Sequence, residues 1–543
     1  MQRIKRDVGM NLGQTRGVFK KSALALAMAS AMAMSGGVYA ATEMIGAAEA
    51  TATDVSGGTA GITNAALTAG TIDYGFVLLE TADITIADID IDENATLYVL
   101  DDQIGDDDTL IITGAVDVLT ATTLIIELGD VTLTSDTDTV GADSLTVAIG
   151  GALGGTTGST LSRGGSLLLN GVNGLATTST VTVAGNTHMT AITVEGGAGV
   201  DSGAVGSIVA ATFGDATTDT FDSTGLTVTG GAAGTGSVAG GASSVTIAGT
   251  AAIGADGIIL TGGVGAATAL GGDSTLTITG ATTITGGAVT VTAGVGSTGA
   301  GGDAALTFTG AVTSDSTLAI AGKAVSGSDA SVTFTGDATF SGISLDDTSS
   351  AGASTLTING TTAQTITGAI TAAAGDEGTI LIANSHASGA KFSSNIGATA
   401  VRMLAINVTD DDGAAGTALA DFDGDVYADT ITITAVGADD AASATFAGNV
   451  GFTTLTLDKA TTEATVTFDG SSAQTVSGNI EGAADTEGLI IVNNDVNFTG
   501  EIGTGTSDGV GNVRIASGKT LTLTSATDAD GVYIAGKLDA DSA

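Results

Sequence analysis

A six-residue phrase recurs along the chain and constrains the fold more than any other feature. It reads Ser244-Val245-Thr246-Ile247-Ala248-Gly249, then Thr275-Leu276-Thr277-Ile278-Thr279-Gly280, and returns at Ala305, Ser331 and Thr355. Its central apolar position is held in turn by Val245, Leu276, Leu306, Val332 and Leu356, so the interval between copies is nearly even. Apolar and polar side chains alternate within each copy and a glycine ends it, which is the pattern of a half-buried strand closed by a turn. Such a unit cannot bury its own apolar face, so repetition in series predicts stacked strands rather than one globular core around a cleft. The expected fold is all-β, a repetitive β-solenoid or parallel β-helix-like array. Tandem small β-sandwich domains use the same short strands and glycine turns and stay open as the alternative.

The chain contains no proline, and glycine supplies 84 of its 543 residues. Proline lacks the donor that a strand ladder needs, whereas glycine takes corner conformations where a side chain would clash. Both facts favour the solenoid. Cysteine is absent, so disulfides, thiolate metal sites and iron–sulfur clusters are excluded.

Residues 1–40 read as a bacterial secretory signal. Arg3, Lys5, Arg6, Arg16, Lys20 and Lys21 form a basic leader, and Ser22 to Met34 is alanine-rich and apolar. Val38 and Ala40 then place small residues before a cleavage point at Ala41. Export to the cell surface or outer envelope follows, with no later apolar run long enough for a transmembrane helix. Cleavage leaves 8 of 14 basic and 58 of 59 acidic residues, a net charge of −50 against −45 for the whole chain. Such a surface repels nucleic acid and attracts cations.

Composition divides the remainder. Residues 41–110 are an acidic N-terminal β segment, and 111–330 form a Gly/Thr/Ala-rich β-repeat region. Residues 331–543 hold two longer β-repeat units, because Ser354 to Asn384 aligns without a gap on Ala464 to Asn494. The anchor is Ala363-Gln364-Thr365-Ile366-Thr367-Gly368 against Ala473-Gln474-Thr475-Val476-Ser477-Gly478.

The Phe-x-Gly-x-Val, Ala-Gln-Thr-Ile/Val-x-Gly and Thr-Leu-Thr phrases resemble the passenger regions of large bacterial surface proteins. These include β-strand-repeat surface-layer proteins and the outer-membrane-protein-B-type autotransporters of rickettsiae. The resemblance covers roughly residues 225–543. It implies a secreted, surface-displayed, β-rich structural protein that self-associates into a lattice or filament, or a passenger that contacts another cell surface. A full autotransporter adds a C-terminal barrel ending in an aromatic residue. The stretch Leu538-Asp539-Ala540-Asp541-Ser542-Ala543 departs from that pattern.

Chemistry is sparse in the sequence. The two histidines, His188 and His386, stand in unrelated contexts and read as solvent-facing, and no nucleophile elbow or zinc motif is present. An enzyme is therefore not expected, and a secreted β-helix acting on carbohydrate ranks last among the readings. No organic cofactor is expected. The candidate metal ligands are aspartates. Asp88, Asp90 and Asp92 alternate with isoleucines, which sets three carboxylates on one strand face. Asp410, Asp411 and Asp412 precede Gly413, and Asp421, Asp423, Asp425 and Asp429 surround Gly424. Clustered carboxylates repel unless neutralised, and calcium takes oxygen ligands of this kind. Gly196-Gly197-Ala198-Gly199-Val200-Asp201 fits the start of a calcium-binding nonapeptide.

Overall fold

Alternating apolar residues in the sequence become three buried columns. The computed structural model describes residues 109–524 apart from short connecting segments, and the backbone of flanking strands such as Ile72–Leu78 and Ile534–Ala540. Among the described residues there is no helix. The strands stack in parallel register as a β-solenoid of about 12 turns. Each turn lays one short strand on each of three faces.

Register partners trace the faces. Val245, Leu276, Leu306, Val332 and Leu356 follow one another on the first face. The recurring phrase is thus one rung of this face, and the interval between its copies is one turn. The second face runs through Val312, Ala338, Ile366, Phe392, Phe422, Phe446 and Phe468. The third runs through Leu226, Ile258, Val289, Leu318, Ile343 and Ile370. Inward residues of all three faces are buried and form one continuous core. The ladder passes from Ala304 to Ala330 to Ser354, so the change of composition near residue 330 is not a break in the fold.

Stacking of identical rungs aligns identical side chains. Phe392, Phe422 and Phe446 stack with centroids 5.0 Å apart and nearly parallel planes (17° and 9°), and Phe468 continues the pile at 6.0 Å. These spacings follow the rung separation of about 4.8 Å, which holds aromatic faces near contact without an offset chosen by the rings.

The longer repeat, from Ser354 to its counterpart Ala464, is not a whole number of turns. Ile358 lies on the first face, and its partners Ile382, Val408, Ile433 and Leu457 stay there through four turns. Its sequence counterpart Phe468 belongs to the second face. The second copy is therefore displaced by four turns and rotated by one face. Local geometry survives the rotation. Gly368 and Gly478 have φ of 120° and 125°, Gly378 and Gly488 of 73° and 81°, and the non-glycine residues Asp376 and Thr486 of 63° and 72°. The three corners of the cross-section are thus nearly interchangeable, and the structural unit is a strand plus its corner rather than a turn.

Candidate functional site

The described part of the molecule concentrates its polar chemistry at corners, and three arrangements recur. The first explains the Ala-Gln-Thr phrase. Gln474 is 2% exposed and opens the strand Gln474–Gly482 just after a bend of the chain. Its Nε2 donates to the carbonyls of Phe446 (2.8 Å) and Gly448 (2.7 Å), while its Oε1 accepts the Gly470 N–H (2.9 Å). Gln364 repeats the arrangement with the Phe334 and Gly336 carbonyls, both at 3.0 Å, and the Gly360 N–H at 2.7 Å. Asn384 and Asn494 close each corner by donating to the carbonyls of Thr362 and Ser472. One amide thereby binds three backbone groups on two rungs. The Phe446 and Phe334 carbonyls also accept the Asp469 and Asn359 N–H groups, so an apolar residue would deprive the Gly448 and Gly336 carbonyls and the Gly470 and Gly360 N–H groups of this partner.

The second arrangement is a ladder of side-chain oxygens. Asp273 Oδ1 accepts the Asp303 N–H (2.9 Å), Asp303 Oδ1 accepts the Asp329 N–H (2.8 Å), and Asp329 Oδ1 accepts the Ala353 N–H (2.8 Å). Each carboxylate caps the strand one turn further on. Elsewhere the ladder is mixed: Asn395 accepts from Asp425, Asp425 from Asn449, and Asn449 from Thr475. In the all-acid version, burial pushes the Asp303 carboxyl up, and the flanking charges of Asp273 and Asp329 add to this against the opposing backbone hydrogen bond. Its folded pKa is raised, so the native state binds more protons than the unfolded chain between the two pKa values. This contribution to stability is fully present below the unfolded value, near pH 4, and is lost as pH rises through the folded one. Asn at position 303 keeps the oxygen acceptor and removes the repulsion. Asp303→Asn is expected to raise stability at pH 7 by less than about 1 kcal/mol, given the partial exposure. Thermal melts at pH 7 and pH 4 check this: the gain should shrink at the lower pH.

The third is a fin of glycine-rich limbs leaving the body between the third and first faces. In the described parts of 196–207, 230–242 and 262–273 the outgoing limb bonds to the next turn at every third residue, as in Gly196 N–H to Thr229, Gly199 to Ala232, Gly230 to Thr261, Ala233 to Val264, Gly262 to Thr292 and Gly265 to Val295. Period-three bonding between extended limbs is the habit of chains with three residues per turn. The residue left between donates across the fin: Gly231 to Gly241, Gly241 to Gly197, Gly272 to Gly231 and Gly263 to Gly272, all within 2.7–2.8 Å. The nonapeptide-like Gly196-Gly197-Ala198-Gly199 is the first of these limbs, and its glycines serve close backbone packing. Val264, Leu270 and Val295 stand out from the fin at 55%, 58% and 54% exposure.

Asp88, Asp92, Asp410, Asp411 and Asp412 lie outside the described residues, as does the side chain of Asp90. The other four candidate ligands do not converge on one point. Asp421 and Asp423 flank the inward Phe422, and both face Lys391, with Nζ 3.5 Å from Asp421 and 2.9 Å from Asp423. The hydrogen bond to Asp423 and the two charges hold the Lys391 ammonium above its ordinary range. Burial raises the Asp469 carboxyl, aided by the charges of Asp421 and Asp423. Asp425 belongs to the oxygen ladder, and Asp429 accepts the Thr453 hydroxyl. The Asp-x-Asp-Gly-Asp spacing is therefore strand alternation followed by a corner. Among the described residues no group of three or more carboxylates and imidazoles is placed to share a metal ion.

No family model matches the chain, and neither a curated protein nor a solved structure is significantly similar to it.

His188 differs from its expected isolation. It lies opposite Asp222 in register, with Nδ1 3.6 Å from Asp222 Oδ2 and Nε2 3.2 Å from Thr220 Oγ1. The order hydroxyl, imidazole, carboxylate has the outline of a nucleophilic triad. However, Arg163 grips Asp222 through Nη2 at 2.6 Å and Nε at 3.1 Å, and 3.6 Å is too long for the carboxylate to orient the ring. The Thr220 N–H already donates to Asn186 Oδ1 at 2.8 Å. The group is an outward cross-strand column whose charges compensate one another. Arg163, His188 and Asp222 come from separate turns, with Arg163 and Asp222 separated by 59 positions of sequence, beyond the reach of any local motif. His386 is tied locally, its Nδ1 accepting the Ser388 N–H.

Proposed function

We propose that the chain is an exported structural protein of the bacterial cell surface, a surface-layer-like component that self-assembles and is stabilised by divalent cations. The observation that carries this reading is the uninterrupted parallel ladder. Turn follows turn in parallel register, and the same stitched corner is used again four turns and one face away. Such a body offers extent and periodicity. Its net charge of −45 makes counter-ions a condition for close packing of copies. Lys391 already plays this part within the chain by neutralising Asp421 and Asp423.

Negative-stain electron microscopy of the chain from Ala41, with calcium and with a chelator, tests the proposal. Ordered sheets or tubes that form with calcium and dissolve with chelator are the expected result. Separate rods under both conditions would favour the second reading, a passenger or adhesin that contacts another surface. The exposed Val264, Leu270 and Val295 on the fin are the observation behind that reading, since clustered exposed apolar side chains mark contact sites.

A further inference from the structure

The middle of one face of the solenoid lacks charge although the chain carries −45, while the ladder of Asp273, Asp303 and Asp329 runs along its edge. On the outer side of the first face, threonine occupies seven successive rungs of one column, from Thr182 through Thr212, Thr246 and onward to Thr357. The neighbouring column, two positions earlier, holds only Thr, Ala and Ser from Thr180 to Thr355. Both columns continue to Thr454 and Thr456 without one charged residue. The other two faces differ: Asp222, Lys391 and Asp421 point out from the second, and Glu195 and Asp346 from the third. These threonines are half-buried by their own neighbours, so each presents a fixed methyl and hydroxyl rather than a mobile side chain.

We propose that this threonine face is where a second copy of the chain docks, face to face. The proposal rests on the self-assembly reading and names the surface that performs it. Two arguments select a second copy over other partners. The first is electrostatic. Copies of so acidic a protein repel through most orientations. The two middle columns of the first face form a strip along which sheets can meet without opposing like charges when the edge that carries Asp273, Asp303 and Asp329 lies over the opposite edge of the partner. The second is periodicity. The columns repeat at about 4.8 Å along the axis and stand about 6.7 Å apart across it. A second copy has the same repeat by construction, so its threonine methyls fit between the rungs over the full length of the face. Stacked β-sheets with matching side chains close in this way, and Thr–Thr pairs are favourable neighbours. A two-fold axis lying in the plane of the contact brings threonine against threonine again.

Sedimentation velocity on the chain from Ala41 tests this with two variants. Thr307→Asp combined with Thr357→Asp places four carboxylates in the contact, two from each copy. Thr313→Asp places one on the second face in the same turn as Thr307 and serves as the control. Circular dichroism establishes that both are folded. The expected result is a dimer for the wild type and the control, with a dissociation constant at least about tenfold higher for the double variant. Association of the double variant as tight as wild type would overturn the docking face; ordered sheets in the electron microscope would then leave self-assembly standing on another surface. A wild type that stays monomeric while it is retained on a crystalline polysaccharide would also overturn it, with an ordered carbohydrate as the occupant. A monomer with no ordered assemblies would remove both this proposal and the reading beneath it.

Discussion

Replacing Gln474 by methionine is expected to destabilise the protein by about 3 kcal/mol, since the cost of each orphaned buried group is about 1–3 kcal/mol and some relaxation is available. The two side chains are similar in size, so packing at the corner is nearly preserved. What is lost is the donor to the Phe446 and Gly448 carbonyls and the acceptor for the Gly470 N–H. Those groups belong to two consecutive rungs; the Phe446 carbonyl keeps the Asp469 N–H, so the loss falls on the buried Gly470 N–H and the part-buried Gly448 carbonyl. Gln474→Glu separates the two halves of the interaction. It keeps an oxygen for Gly470 and sets a second oxygen against two carbonyls, so it should cost more than methionine at pH 7. The gap should narrow in acid, where a protonated carboxyl can donate once. Gln364→Met should behave alike, because its bonds match within a few tenths of an ångström. Equilibrium denaturation, read together with hydrogen exchange at the rungs on either side, measures the effect. A loss below about 0.5 kcal/mol, the scale of an ordinary surface change, would mean that the corner opens to water.

The glutamine also shows where sequence reasoning stops. Its phrase is visible as a repeat in register, Gln364 against Gln474, but the reason for glutamine is not. That reason lies one turn back, at Phe334 and Phe446, which the amide reaches across 30 and 28 positions of sequence. Strand, turn and stacking are legible because they follow from neighbouring residues: alternation fixes the buried face, and glycine fixes the stop. The choice of solenoid over sandwich rests on proline and the even repeat, and parallel register decides it. Relations between turns are hidden. His188 meets Arg163 and Asp222 through register alone, and the mixed ladder from Asn395 to Asn449 has no local signature. Asp421, Asp423 and Asp425 suggest a calcium loop because a carboxylate count ignores facing. Alternation around Phe422 instead directs the first two towards Lys391, and the corner directs the third along the axis. The glycine fin is obscured by composition, since pairs such as Gly230-Gly231 and Gly271-Gly272 look like filler in a chain with 84 glycines.

Gly241→Ala combined with Gly272→Ala is expected to split that fin. A methyl group at 241 would overlap the Ser207 carbonyl oxygen, and one at 272 the Gly241 carbonyl oxygen. Neither obstacle is a side chain that can swing away. Each is backbone held by its own hydrogen bond, Ser207 accepting from Gly197 and Gly241 from Gly231. The limbs must therefore separate, which breaks the cross-fin bonds Gly241 to Gly197 and Gly272 to Gly231 together. Overpacking typically costs about 1–3 kcal/mol per site, and two sites on one zipper act in concert, so a local loss of about 4 kcal/mol is expected. Gly375→Ala is the matched control. A methyl there meets nothing within 4 Å, and the change should leave stability within about 0.5 kcal/mol. The loss should stay confined to the fin, because the three-faced body carries its own core through Ile247, Ile278 and Phe308. Limited proteolysis distinguishes the outcomes. Early cuts within 230–273 with an intact solenoid would show that the fin is a separately stabilised layer. Simultaneous loss of the body would show that the glycine zipper holds adjacent turns in register.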